Sequence, residues 1–409
     1  MIRRHHIVLV IIATALPALW STSATAIPLF ARKYSVTCFT CHVSPPLLND
    51  FGRRFQANGY NLPGSGRDRQ AQHDQQSFPI ALLSQPMVTH SIQTNNHSGT
   101  TKTSTGFETL ELALFSTASL GPHFSYFAEA PIVLDKGETT IELANAHLLY
   151  TDVLNNGLGN LNFRLGKMRA FIPFIPNTLL SNSDPLIYSY SITNKIRFPD
   201  NELNMFEPAF GVSAFGMLPQ LADGLRWEVG LSGGTNNNVD FAASNAGFIS
   251  ANQTIYINNA PVRFGTFYYR GAQRMRVVFD SDTWYNGVSR IGVDLELLDP
   301  WTKRFDLYGQ LLISTDNSID DHGNKKNMRG GFVGVNMILM AETLYAFGRY
   351  DYLKISETNM LQTQIDIGLR WNVLPNVILT AGVTNYLEKA PQGVDNTITS
   401  IKTGVLFGF

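Results

Sequence analysis

The sequence predicts an all-β protein: a closed antiparallel barrel of about 16 strands crossing a membrane, preceded by a short segment that holds both cysteines. Three observations carry this expectation. Segments of about ten residues alternate apolar and polar side chains through most of the chain, the strand signature of a membrane barrel. Charged residues make up only 15% of the 409 residues and aromatic ones 11%, an unusual balance for a water-soluble enzyme. After the N-terminus, no apolar run reaches the ~18 residues that a spanning helix needs, and a mean hydropathy of −0.04 is too polar for a helical bundle. The 31 Lys+Arg and 32 Asp+Glu give a net charge of −1, so no broad basic field is available for nucleic acid.

Residues 1–26 read as an export signal. Arg3 and Arg4 form its charged region, Ile7 to Trp20 its apolar stretch, and Ala24-Thr25-Ala26 its cleavage site, so the mature chain starts at Ile27. Directly behind it, Cys38-Phe39-Thr40-Cys41-His42 matches Cys-x-x-Cys-His, the attachment sequence of a c-type haem. The two intervening residues set the thiols about one turn apart, within reach of both vinyl groups of one porphyrin, and His42 follows as the proximal iron ligand. A thioredoxin-like motif would need a βαβ setting, and a zinc site would need further ligands nearby. Neither is present in the sequence. Pro46 is expected to open a short helix carrying Leu48, Phe51 and Phe55 on one face, which Asn58-Gly59 ends. So small a piece rarely buries a sufficient core alone, so residues 27–77 are expected to lean on haem and on the remainder of the chain. Within this unit, Asn61 to Ser77 reads as a polar, Gly-containing linker.

Residues 78–409 carry the barrel pattern. Ile291, Val293, Leu295 and Leu297 interleave with Arg290, Gly292, Asp294 and Glu296. Thr363, Ile365, Ile367, Leu369 and Trp371 interleave with Gln362, Gln364, Asp366, Gly368 and Arg370. Val333 to Leu339 and Leu225 to Leu231 repeat the alternation, one face for lipid and one for water. Short turns are expected at 120–122, 155–160, 220–224, 299–301 and 374–376, facing the periplasm. Long outward loops are expected at 170–204, 235–253 and 315–329. The stretch 254–279 is the hardest to divide. Ile401, Val405, Phe407 and the terminal Phe409 share one face of the last strand, as an interfacial aromatic girdle requires.

Ala26 to Tyr34, Cys38 to His42, Pro46 to Phe55 and Asn58-Gly59-Tyr60 together resemble the fused cytochrome-porins of iron-oxidising bacteria. The resemblance covers about 35 residues in its specific motif; over the barrel it is one of architecture and length. It implies an outer-membrane protein that takes one electron from extracellular Fe(II) and passes it to a periplasmic cytochrome or other soluble carrier. Physics points the same way, because a ~30 Å hydrocarbon layer is too wide for a haem at its inner edge to meet an outer donor. Either haem or donor must enter the lumen, and a barrel of about 16 strands leaves room for either. Residues 27–60 are therefore expected to plug the lumen. Met87 and Met168, on the polar phase of their strands, are candidates for the second axial ligand. Arg32, Lys33, Arg53 and Arg54 are candidates to pair with haem propionates or barrel carboxylates, or else form a solvated basic face. Asp316, Asp320, Asp321 and His322 offer hard ligands for Fe(II) in one outer loop. Two other readings stay open: a diffusion porin whose haem segment is a plug or redox sensor, and a conduit for another extracellular donor.

Overall fold

The computed structural model describes residues 29–34, 36–58, 60, 80–107, 110–121, 123–135, 138–155, 160–169, 183–189, 208–218, 224–233, 244–276, 283–299, 301–302, 304–316, 326–356, 359–374, 376–389 and 395–408. The expected signal, the linker and Phe409 lie outside them.

Sixteen strands form one closed antiparallel barrel. They are β1 (Ile80–Ser84 and Met87–Asn95), β2 (Thr100–Phe107 and Leu110–Ser119), β3 (Phe124–Asp135), β4 (Glu138–Ile141 and Asn145–Asn155), β5 (Asn160–Met168), β6 (Ala209–Leu218), β7 (Leu225–Ser232) and β8 (Ser244–Ile257). The others are β9 (Ala260–Arg276), β10 (Thr283–Leu298), β11 (Phe305–Asp316), β12 (Lys326–Met340), β13 (Leu344–Ile355), β14 (Met360–Leu374), β15 (Val377–Lys389) and β16 (Asp395–Gly408). The two pieces of β1 flank Pro86, which has no N–H to give to the ladder, yet both pair with β16 and so count as one strand. That pairing, Met87 opposite Gly404 and Asn95 opposite Asn396, closes the barrel and removes its edges.

The alternation read from the sequence sorts the side chains as expected. On β14, Ile365, Ile367, Leu369 and Trp371 are exposed on the outer wall, while Gln364, Asp366 and Arg370 are buried inside. On β10, Ile291, Val293 and Leu295 face out and Arg290, Asp294 and Glu296 face in. An apolar outer wall with charges inside is what a barrel surrounded by lipid requires, since hydrocarbon offers no partner to a charge. Among the described residues no helix is long and apolar enough to cross a membrane. Ile367, 59% exposed near the middle of β14, gives a direct check. Ile367→Arg should cost about 2–4 kcal/mol in urea-induced unfolding from lipid vesicles.

Three loop boundaries differ from the sequence reading. Ser244–Ile257 is one strand, so the loop expected over 235–253 is shorter, and β11 and β12 extend into both ends of 315–329. Within 254–279 a tight turn at Asn258-Asn259, both with positive φ, joins β8 to β9. The connection from β5 to β6 does not all face outward either. Its described part, 183–189, lies against the inner wall, where a single helical turn, Leu186–Ser189, buries Leu186, Ile187 and Tyr188 against Phe248, Phe267, Tyr308, Phe332 and Leu353. The apolar run Leu186-Ile187-Tyr188 needs cover, and this wall has an unusual inward apolar patch to supply it. Polar contacts hold the same turn, with the Leu186 N–H donating to Asp351 Oδ1 (3.3 Å) and Gln364 Nε2 to Ser183 Oγ (3.0 Å).

Candidate functional site

Before the barrel, α1 (Leu29–Tyr34) leads into a tight 3-10 turn, Cys38–Thr40, closed by Cys41 N–H donating to the Cys38 carbonyl at 3.2 Å. The turn sets both thiols on one local scaffold, and they are not joined in a disulfide. Burial raises both thiol pKa values, and for Cys41 the neighbouring Cys38 adds to the effect. His42 then begins a small hairpin, His42–Ser44 with Leu47–Leu48. Its Nδ1 faces the Pro46 carbonyl at 3.2 Å, and since a carbonyl only accepts, Nδ1 is the protonated nitrogen. Burial pushes the imidazole down to about 4, so it is neutral at pH 7 with Nε2 as its lone-pair nitrogen.

Pro46 does not open the helix. It occupies the hairpin turn, and α2 (Asp50–Ala57) starts after Asn49, ending at Asn58 as expected. Asn49 does two jobs. Its Oδ1 accepts the Gly52 N–H (2.9 Å) as an N-cap, and its Nδ2 donates to the carbonyls of Phe39 (3.1 Å) and Thr40 (3.0 Å) in the cysteine turn. A second tie runs from the Asn49 N–H to the Cys41 carbonyl at 2.9 Å. Gly52 lies so close to that carbonyl that a Cβ would collide with backbone. Gly52→Ala should therefore separate α2 from the cysteine turn, read as faster proteolysis of the N-terminal segment while the barrel still folds.

The segment is anchored to the inner wall at the short-turn end. Arg53 pairs with Glu296 of β10, which also accepts from Arg263 of β9 at 2.8 Å. Asp50 pairs with Arg54 (2.8 Å) and Arg226 (3.3 Å) and accepts from Tyr256 OH (2.7 Å). On the side of β13 and β14, Arg370 donates to the Pro45 carbonyl, Ser44 Oγ reaches Asn372 Oδ1 at 3.4 Å, and Leu47 packs with Tyr345 and Phe347. Rings continue the contact toward β3: Phe30 stacks on Tyr60 and Tyr60 on Phe127, each with centroids 5.3 Å apart. Tyr256 adjoins the Asn258-Asn259 turn, and Glu296 lies close before the turn that follows β10. Among the four basic candidates, Arg53 thus finds a barrel carboxylate, Arg54 pairs with Asp50 of its own helix and donates to Tyr256 OH of β8, and buried Lys33 lies 4.9 Å over the Tyr34 ring. The Arg32 side chain lies outside the described residues.

Met87 and Met168 face inward on β1 and β5 as expected. Met87 Sδ accepts from Gln85 Nε2 (3.4 Å) and Met168 Sδ from Ser213 Oγ (3.9 Å), whereas the hairpin after the cysteine turn contacts β13 and β14. His147 on β4, not singled out in the sequence reading, is buried and stacks on Phe127. Asp320, Asp321 and His322 fall outside the described residues, as does the Asp316 side chain. Among the described residues no group of three or more His, Cys, Asp or Glu is placed to hold a metal ion.

The barrel is similar to solved porins. An anion-selective porin from Comamonas acidovorans aligns with a TM-score of 0.55 at 13% identity, covering 81% of this chain and 99% of its own. OprB of Pseudomonas putida aligns with a TM-score of 0.55 at 9% identity (81% and 94% covered), and the outer-membrane channel DcaP of Acinetobacter baumannii with 0.52 at 11% (81% and 96%). The chain therefore has the fold of outer-membrane porins. No protein-family model and no curated protein sequence matches it.

Proposed function

We propose that the protein is an outer-membrane electron-transfer porin, with one c-type haem held by Cys38, Cys41 and His42, extracellular Fe(II) as electron donor and a soluble periplasmic carrier as acceptor. The observation that carries this reading is the cysteine turn with its histidine. Two thiols sit on one turn outside any disulfide, and the neutral His42 has Nδ1 on a backbone carbonyl, the outer-shell contact that orients a ligating imidazole. These residues fit a covalently bound haem. When bound, haem supplies one-electron redox chemistry at this turn.

The chain's own residues do the positioning. Asn49 and Gly52 hold the cysteine turn on α2, and Arg53 with Glu296 ties α2 to the wall. The charge-assisted Arg–carboxylate contact is the stronger kind of hydrogen bond and fixes orientation as well as position. Short turns face the periplasm in barrels of this type, so the segment lies at the end from which a soluble carrier approaches. Met87 and Met168 remain the proposed second axial ligands. Replacing each by Ala, with His147→Ala alongside, tests this by midpoint potential, which the true ligand's loss shifts and the others leave alone.

Stopped-flow haem absorbance after mixing the oxidised protein with Fe(II) tests the main reading. Rapid appearance of the reduced spectrum is the expected result, and a normal oxidised haem that Fe(II) leaves unreduced would overturn iron as donor. The porin-like fold gives a second reading some support, a channel closed by a redox-sensing plug. Bilayer conductance unchanged by removing residues 27–77, with no Fe(II)-dependent reduction, would favour it.

A further inference from the structure

On the outer wall, the register of β12 to β15 lines up side chains in successive rows. Val333, Tyr350 and Ile365 stand opposite one another, all exposed within the lipid-facing band. The next row toward the long loops holds Gly331, Tyr352 and Thr363. Tyr350 and Tyr352 occupy the place of the aromatic girdle, where hydrocarbon gives way to headgroups. One row further out come Arg329, Lys354, Leu361 and Lys389. They share the outward phase of the tyrosines and lie near the long-loop ends of their strands. With the short turns in the periplasm, those ends face the cell exterior.

The charges of this row are unbalanced. Arg329 and Lys354 are direct partners on adjacent strands, about 4.8 Å apart, and Lys389 stands two strands beyond Lys354, at about 10 Å. Like charges directly opposite one another destabilise a sheet. No ion pair joins Arg329 or Lys354 to a carboxylate among the described residues. Asp395 of β16 stands opposite Lys389, and these two form no ion pair either. The inner wall is built differently, with Arg164 on Glu228 and Arg349 on Asp351.

We infer that Arg329, Lys354 and Lys389 form a binding surface for the phosphate groups of a phosphorylated glycolipid in the outer leaflet. An anion between Arg329 and Lys354 turns their repulsion into a shared attraction, and phosphate oxygens accept from guanidinium and ammonium alike. The apolar positions directly beneath, Val333 and Ile365 among them, are where the acyl chains of the same molecule would lie. That continuity with the lipid-facing band selects a lipid over free phosphate. This surface is independent of haem and of the electron donor.

Native mass spectrometry of the full-length protein in detergent, titrated with bisphosphorylated lipid A, tests it. The expected result is a lipid A retained on each barrel in preference to phosphatidylethanolamine. Each cation near an anionic headgroup is worth about a fivefold factor in affinity, so Arg329→Gln/Lys354→Gln should weaken retention by more than about tenfold. Arg329→Lys, which keeps the charge, should retain most of it. The double variant removes a repulsion, and the shifted mobility of the unheated protein checks that it folds; Lys389→Gln, at the end of β15, gives a second reading, with a loss of about fivefold. Lipid A held no better than phosphatidylethanolamine, retention equal in the folded variants, or displacement of the lipid by an equimolar amount of inorganic phosphate would overturn the surface.

Discussion

Cys38→Ala/Cys41→Ala protein is expected to carry no covalent haem and yet to fold as a barrel. Thioether attachment needs both thiols, and the tight turn of Cys38–Thr40 is the only scaffold among the described residues that offers two. The barrel does not depend on it, since closure comes from β1 pairing with β16 and every barrel ladder is formed without residues 36–60. Haem-dependent peroxidase staining after denaturing electrophoresis should vanish completely, while the unheated protein keeps the shifted mobility of a folded barrel. Staining at wild-type intensity would mean that another site holds the haem. Loss of both signals would mean that the segment is needed for barrel assembly.

Glu228→Leu should be the most destabilising single change in the inner wall. Glu228 on β7 pairs with Arg164 on β5, and both side chains are almost wholly buried. Removing the acid strands a guanidinium, which typically costs about 3–5 kcal/mol. Arg164 keeps contacts with Ser213 Oγ (3.2 Å), the Arg169 carbonyl (3.0 Å) and the Phe215 ring, so the lower end of that range is expected. The double variant Arg164→Met/Glu228→Leu removes both charges and should recover most of the loss. Reversible urea unfolding in vesicles, followed by tryptophan fluorescence, checks both. Additive losses in the double variant would show that the pair does not act as one.

Much of this was legible locally. The alternation on β10 and β14 reads directly from sequence because side chains on a strand repeat every two residues, and lipid enforces the outer half of the pattern at every position. The cysteine motif was legible because its chemistry needs adjacent residues. The Asn258-Asn259 turn carried a readable signal too, since Asn tolerates positive φ, but an aromatic and apolar run on both sides obscured it. Asn49 was hidden by Pro46, the more familiar helix opener, and the competing hairpin took the proline instead. The tie between Arg53 and Glu296 spans 243 residues of sequence, and nothing local marks it. The inward turn at Leu186–Ser189 was missed for a related reason: its apolar residues make sense only against a wall built from β8 to β13.

The most direct measurement of the central claim places the protein in sealed liposomes with Fe(II) outside and an oxidised soluble cytochrome c trapped within. The account predicts reduction of the trapped cytochrome at a rate that depends on external Fe(II) and disappears in Cys38→Ala/Cys41→Ala protein. Haem that Fe(II) reduces while the trapped cytochrome stays oxidised, or equal reduction with and without the two cysteines, would contradict it.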